Sequence, residues 1–181
     1  MRSDYYSDIE LEKIGFKSYG KNILLSRKCS IYNPENICIG NNVRIDDFCI
    51  LSGSIIIGNY VHIAAYSALY GKFGIEICDY SGISARCTLY SAIDDFSGNY
   101  MISPMVPLDY VRLTKGKITL SKYTQLGCNT IVFPNVTIKE GSVVGAMSLV
   151  KNSVPEWLIV AGIPVKVIKK RKKNLLKFTL S

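Results

Sequence analysis

The chain has few of the residues that build metal centres. It carries one histidine and one tryptophan in 181 residues, and none of its six cysteines forms a CxxC pair. Structural zinc is therefore not expected. No apolar run approaches the roughly 20 residues that cross a bilayer. The N-terminal stretch MRSDYYSDIELEKIGF has acids where a secretory signal needs an apolar segment. The expectation is a cytoplasmic protein with no transmembrane segment, in which Cys29, Cys38, Cys49, Cys78, Cys87 and Cys128 stay reduced. Charge is also sparse, at 20% of residues against 48% hydrophobic. Of the net +8, seven charges lie in residues 165–181, on Lys166, Lys169, Lys170, Arg171, Lys172, Lys173 and Lys177, with no acid among them. A nucleic-acid face would spread basic residues over the fold with aromatics between them. A local cationic tail fits a solvated terminus, or a site for a phosphorylated small molecule or an acidic surface.

What the chain has in abundance is a period. Aliphatic residues recur every six positions at Leu25, Ile31 and Ile37, then at Ile39, Ile45, Leu51, Ile57, Ile63, Leu69 and Ile75. After a slip of two residues the series resumes at Ile77, Ile83 and Leu89. It returns at Leu120, Leu126, Val132, Ile138, Val144 and Val150. Aliphatic–glycine steps at Ile39-Gly40 and Ile57-Gly58 stand three periods apart, as do Leu126-Gly127 and Val144-Gly145. Neither an amphipathic helix nor one alternating strand has this spacing. A three-sided coil of short strands does, with the aliphatics stacked inward in columns.

The length suits one domain. We divide it into an N-terminal cap at 1–24, lower coils at 25–90, an excursion loop at 91–117, upper coils at 118–153 and a C-terminal tail at 154–181. A short helix within 3–14, capped by Ser7 or Asp8, would turn Ile9 and Ile14 toward the first coil. The tail is expected to hold a strand and a basic helix. The excursion, SAIDDFSGNYMISPMVPLDYVRLTKGK, breaks every period, and loops of that length inside a compact domain are usually functional.

Stretches such as ICIGNNVRIDDFCIL and SVVGAMSLVKNSVPEWLIVAGIPVKVIKKR resemble the hexapeptide-repeat acyltransferases. The likeness is greatest to the galactoside and maltose acetyltransferases and to the acetyltransferases of surface-polysaccharide clusters, such as those acting on lipopolysaccharide. The resemblance implies an all-β fold, a left-handed parallel β-helix. It also implies a homotrimer with active sites in the grooves between subunits, acetyl-coenzyme A as co-substrate and no metal.

In the resembling enzymes a histidine opens the excursion loop as general base. Here Asp94 holds that position, and the single histidine is His62, just before inward Ile63. Both map to the acceptor end of the groove. The expected catalytic pair is thus His62 and Asp94, with Asp94 or Asp95 orienting the imidazole or holding the sugar. Asp95, Tyr66, Tyr90 and Gln125 are the expected acceptor contacts, the tyrosines as stacking surfaces for a pyranose or as packing between subunits. Gln125 replaces a tryptophan common in that family. For the donor, the resemblance implies pantetheine along Cys128 and Ala146. Lys151, Asn152, Pro164, Lys166 and Lys169 would hold the phosphate and adenosine end.

The expected activity is acetyl transfer from acetyl-coenzyme A to a sugar hydroxyl in surface-polysaccharide synthesis. The alternative is N-acetylation of an amino-sugar nucleotide, whose amine is already a nucleophile. A third reading is a catalytically silent trimeric scaffold.

Overall fold

A computed structural model describes residues 4–178, so the outermost ends of the expected cap and tail, 1–3 and 179–181, lie outside the described residues. The chain winds into a left-handed parallel β-helix of about seven turns. One face stacks Ile23–Leu25, Val43–Ile45, His62–Ile63, Gly82–Ile83, Gln125–Leu126, Val143–Val144 and Leu158–Gly162 in parallel register. The other two faces share the long strands Ile50–Ile57 and Ala68–Ile77, which turn the corner between them.

The six-residue period is the core. Leu25, Ile45, Ile63, Ile83, Leu126, Val144 and Val160 form one column, each at most 3% exposed. β-branched and leucine side chains suit these positions because each inward residue touches the ones above and below. The two-residue slip in the series has a geometric origin. Ile45 pairs with Ile63, three periods on, but Ile63 pairs with Ile83, which lies beyond three periods by the length of the slip. The added residues lie between Gly71 and Ile75, since Gly53 pairs with Gly71 while Ile55 pairs with Ile75. This widened corner carries the excursion: the Phe73 N–H donates to Ser91 Oγ at 2.9 Å.

Two of the corners turn through left-handed residues, one at each corner per coil. One corner column runs Asn42, Tyr60, Tyr80 and Tyr123, another Phe48, Tyr66, Arg86, Asn129 and Met147, all at φ between 56° and 62°. Bulky side chains are rare there. In a solenoid each finds a neighbour one coil away, as where Tyr60 stacks on Tyr80 at 4.9 Å and Tyr80 on Tyr123 at 5.3 Å.

Two local expectations need correction. The helix Asp8–Ile14 forms, with Glu10 accepting from the Ser7 N–H at 2.9 Å, and Ile14 packs against the core as expected, but Ile9 is 70% exposed and Leu11 is buried in its place. Arg27 grips Glu10 through both carboxylate oxygens, at 2.8 and 2.6 Å, and that clamp selects the inward face. The tail holds the expected strand, but among its described residues there is no α-helix. Val165–Lys170 is a strand paired antiparallel with Leu158–Gly162, followed by a 3-10 turn at Asn174–Phe178. Its apolar and lysine residues lie along the edge of the last coil, which would otherwise stay unpaired.

The excursion is ordered at its base. Ala92–Asp94 pairs antiparallel with Leu113–Lys115. Its outer part leaves Phe96, Met105 and Leu108 about four-fifths exposed or more.

Candidate functional site

The expected acceptor residues sit on and around the face that carries His62. The strand alternation that buries Ile63 turns His62 outward, in register with Arg44 below and Gly82 above, and Gly82 pairs in turn with Gln125. His62 Nε2 lies 2.8 Å from Asp46 Oδ2, and Arg44 Nε donates to Asp46 Oδ1 at 2.7 Å. Burial pushes the Asp46 carboxyl up, but the hydrogen bonds from His62 and Arg44 outweigh it and hold the group below the ordinary carboxylate range. Within this chain the carboxylate on the imidazole is therefore Asp46, and not Asp94 or Asp95 as the sequence suggested. With Nε2 turned to a carboxylate, neutral His62 carries its proton there and leaves Nδ1 as an acceptor.

Asp94 ends the first strand of the excursion ribbon, opposite Leu113. Its half-buried carboxylate makes no hydrogen bond or ion pair to the described residues. Asp95 has a local task. Its Oδ1 accepts the Ser97 N–H at 2.8 Å, and that bond holds its carboxyl below the usual range. Asp95 builds a turn at the start of the loop.

The tyrosines differ from expectation. Tyr66 stacks on Phe48 one coil below at 4.9 Å, and the Arg86 guanidinium one coil above lies 5.0 Å from the Tyr66 ring. Both faces are occupied, so Tyr66 offers no surface to a pyranose. Tyr90 has one face on Tyr70, at 5.3 Å.

Gln125 lies across Gly82: a Cβ at position 82 would collide with its Oε1. Its Nε2 donates to Ser84 Oγ and to the Leu126 carbonyl, both at 3.0 Å. The amide is thus fixed with its oxygen over the glycine rung. Ser84 and Arg86, which sequence reading missed, open and complete the corner after Ile83. Their only sequence signal is that place.

The donor residues fall into two groups. Cys128 and Ala146 are exposed on successive coils of one corner, where the Met147 N–H donates to the Cys128 carbonyl at 2.8 Å. Lys151, Asn152, Pro164 and Lys166 line one cleft of about 160 Å³ beneath the terminal strand. Lys169 is exposed on that strand opposite Ile159 and does not line the cleft. Among the described residues no three His, Cys, Asp or Glu side chains converge as a metal would require.

Comparisons with known proteins agree with this geometry. Residues 39–71 match the family "Bacterial transferase hexapeptide (six repeats)". The chain is 45% identical over 175 residues to a dTDP-4-amino-4,6-dideoxy-D-glucose acyltransferase of Escherichia coli, covering 95% of this chain and 91% of that one. It superposes on AntD, an N-acyltransferase from Bacillus cereus solved with dTDP and 3-hydroxybutyryl-CoA, with a TM-score of 0.96. The identity is 54%, over 98% of this chain and 95% of AntD. AntD has also been solved with a serine replaced, bound to dTDP-4-amino-4,6-dideoxyglucose and coenzyme A, and with an aspartate replaced, bound to dTDP and coenzyme A. A hexapeptide-repeat acetyltransferase from Vibrio cholerae, at 21% identity and a TM-score of 0.63 over 91% of this chain and 80% of that one, shares the fold. These likenesses overturn the expected transfer to a sugar hydroxyl, because the relatives similar along their whole length act on an amino sugar nucleotide or are named N-acyltransferases.

Proposed function

The chain belongs to the hexapeptide-repeat acyltransferases, and from that premise we propose that it moves an acyl group from an acyl-coenzyme A to the amine of a dTDP-linked 4-amino-4,6-dideoxy sugar. The end-to-end likeness to AntD carries this reading. The amine attacks the thioester carbonyl, a C–N bond forms, the C–S bond breaks, and the proton lost from nitrogen ends on the coenzyme A sulfur. Neutral nitrogen is already a nucleophile, so the site must orient it and balance the positive charge that grows as it attacks.

We assign that work to Asp94 and Ser84, residues of the same two kinds as those replaced in AntD. Asp94 brings a carboxylate unclaimed by the described residues. Ser84 is oriented by Gln125. His62, braced by Asp46, binds the sugar beside them, and Tyr90 and Asp95 border the same end. At the donor end, pantetheine runs along Cys128 and Ala146. The phosphates meet Lys151, Asn152 and Lys166 beside Pro164, with Lys169 outside.

In this scheme the lower coils, 25–90, with Asp94 and Gln125, serve the acceptor, and the remainder of the upper coils and tail serve the donor. The excursion roofs the groove of a neighbouring copy in a homotrimer, which the exposed Phe96, Met105 and Leu108 support. The reaction is placed in the cytoplasm, where acyl-coenzyme A is found, and its product is a building block for a surface glycan. Among the described residues no helix is long and apolar enough to cross a membrane.

The test is a mass-spectrometric assay offering acetyl- and 3-hydroxybutyryl-coenzyme A with dTDP-4-amino-4,6-dideoxyglucose or with the 4-hydroxyl sugar nucleotide. Acylation of the amine alone is expected. Transfer to the hydroxyl, with the amine untouched, would sink the reading.

A further inference from the structure

The described arginines are alike in having polar partners, with one exception. Arg27 grips Glu10, Arg44 holds Asp46, Arg112 donates to the Tyr100 hydroxyl, and Arg171 donates to the carbonyls of Tyr123 and Gly141. Arg86 makes no hydrogen bond from its guanidinium to any described residue. It is nevertheless anchored. Its backbone takes the left-handed conformation at φ 62°, its N–H donates to the Ala65 carbonyl at 3.0 Å, and its guanidinium rests on Tyr66, itself stacked on Phe48. At the foot of the same stack the Lys28 ammonium covers Phe48 but is consumed by Asp47 at 2.8 Å. Above Arg86 the corner continues with the uncharged Asn129 and Met147. The aromatic stack of this corner is therefore topped by one charged fork, held by ring contact and with its donors unspent. It stands two residues after Ser84, on the corner that Gln125 also reaches.

We propose that Arg86 binds the diphosphate of the nucleotide-sugar acceptor, with Tyr66 and Phe48 as its platform. The inference rests on the amino-sugar-nucleotide reading above. A planar guanidinium stacked on a ring keeps its edge N–H groups free for two phosphate oxygens, and little side-chain freedom is left to lose on binding. The site is separate from the lysine cleft that would hold the coenzyme A phosphates. It accounts for an acceptor that must carry a diphosphate while the sugar reaches Ser84.

Calorimetry with dTDP, thymidine and coenzyme A on the wild type, Arg86→Met and Arg86→Lys tests it. Arg86→Met should weaken dTDP about 10- to 100-fold, as loss of charge-assisted hydrogen bonds does. Thymidine and coenzyme A should bind as before. Arg86→Lys, which keeps the charge but not the fork, should fall between. The exposed position makes both variants foldable, and their melting temperatures check this. Wild-type binding of dTDP with no loss in Arg86→Met overturns the assignment and leaves the proposed function standing. A loss confined to coenzyme A also overturns it, by giving the fork to the donor. A wild type that binds no dTDP removes the proposed acceptor and this inference together.

Discussion

His62 and Asp46 lie 2.8 Å apart on adjacent coils, and the other oxygen of Asp46 is held by Arg44. The imidazole is thus braced by a carboxylate that stays ionised at neutral pH, as a positioned sugar contact requires. Since an amine needs no strong base, His62→Ala should lower turnover by less than about tenfold, against the roughly 10²–10⁴-fold cost of removing a general base. Asp94→Ala should cost about 100-fold or more in kcat with little change in coenzyme A affinity. Steady-state kinetics on both variants decide between them: a His62→Ala enzyme that is nearly dead would return the histidine to the role of base.

Gly82 gives a finer probe of the acceptor end. The Cβ added in Gly82→Ala meets the far end of the Gln125 side chain, which can swing away, so the fold should survive. Its bond to Ser84 should not. We expect KM for the amino-sugar nucleotide to rise about tenfold, comparable to losing one or two hydrogen bonds, while the coenzyme A Kd holds. An unchanged KM would show that the Gln125–Ser84 pair is no part of acceptor binding.

On the donor side, Lys151 and Lys166 share a cleft that Lys169 does not line. Neutralising either of the first two should weaken acyl-coenzyme A binding by roughly tenfold, and Lys169→Gln should have a smaller effect. Titration calorimetry on the three single variants reads this directly. Equal affinities throughout would make the basic tail a solvated edge.

The outward ladder beside the core has energetic content of its own. Asn59 donates its backbone N–H and Nδ2 to Asp79 Oδ1, at 2.8 and 3.2 Å, and its own Oδ1 accepts from the Asn41 N–H at 2.8 Å. Outward direction alone makes Asn59→Asp look neutral. With Asp79 one coil above, it should cost about 1–3 kcal/mol, because a donor is lost and two carboxylates are brought together. Ile57→Asp, which buries an unpaired charge in a column, should cost several kcal/mol more. Thermal melts of the two variants check the order.

Acid should loosen the N-terminal helix only at low pH. The Arg27 side-chain hydrogen bonds, with those of the Ser7 N–H and hydroxyl, hold Glu10 down from 4.5 to about 2. A depressed carboxyl contributes its stability above 4.5 and loses it as pH falls toward about 2. A carboxyl NMR titration should find Glu10 protonating in that lower range, and Arg27→Met should raise it part of the way toward the ordinary value, since the Ser7 hydrogen bonds remain.

The architecture could be read from the sequence because its cause is local. A six-residue spacing of Ile39, Ile45, Leu51, Ile57, Ile63 and their fellows specifies inward columns wherever the chain is cut, and burial of those aliphatics stabilises the coil. The capping residues of the first helix were legible for the same reason. The choice of Leu11 over Ile9 on its inward face was not, since it depends on Arg27 reaching Glu10 across 17 residues. The site lay further from reach. Which outward residues meet is set by coil length: a coil of three periods puts Arg44 beside His62, and the coil widened by the slip puts His62 beside Gly82. The excursion stretches the next step further still, bringing Gln125 onto that glycine. Asp46 as the brace on His62, the occupied faces of Tyr66, the unspent fork of Arg86 and the fixed amide of Gln125 all follow from contacts between coils. No local pattern encodes such contacts, because outward positions are under no common packing constraint and their chemistry is decided by the neighbours that the winding supplies.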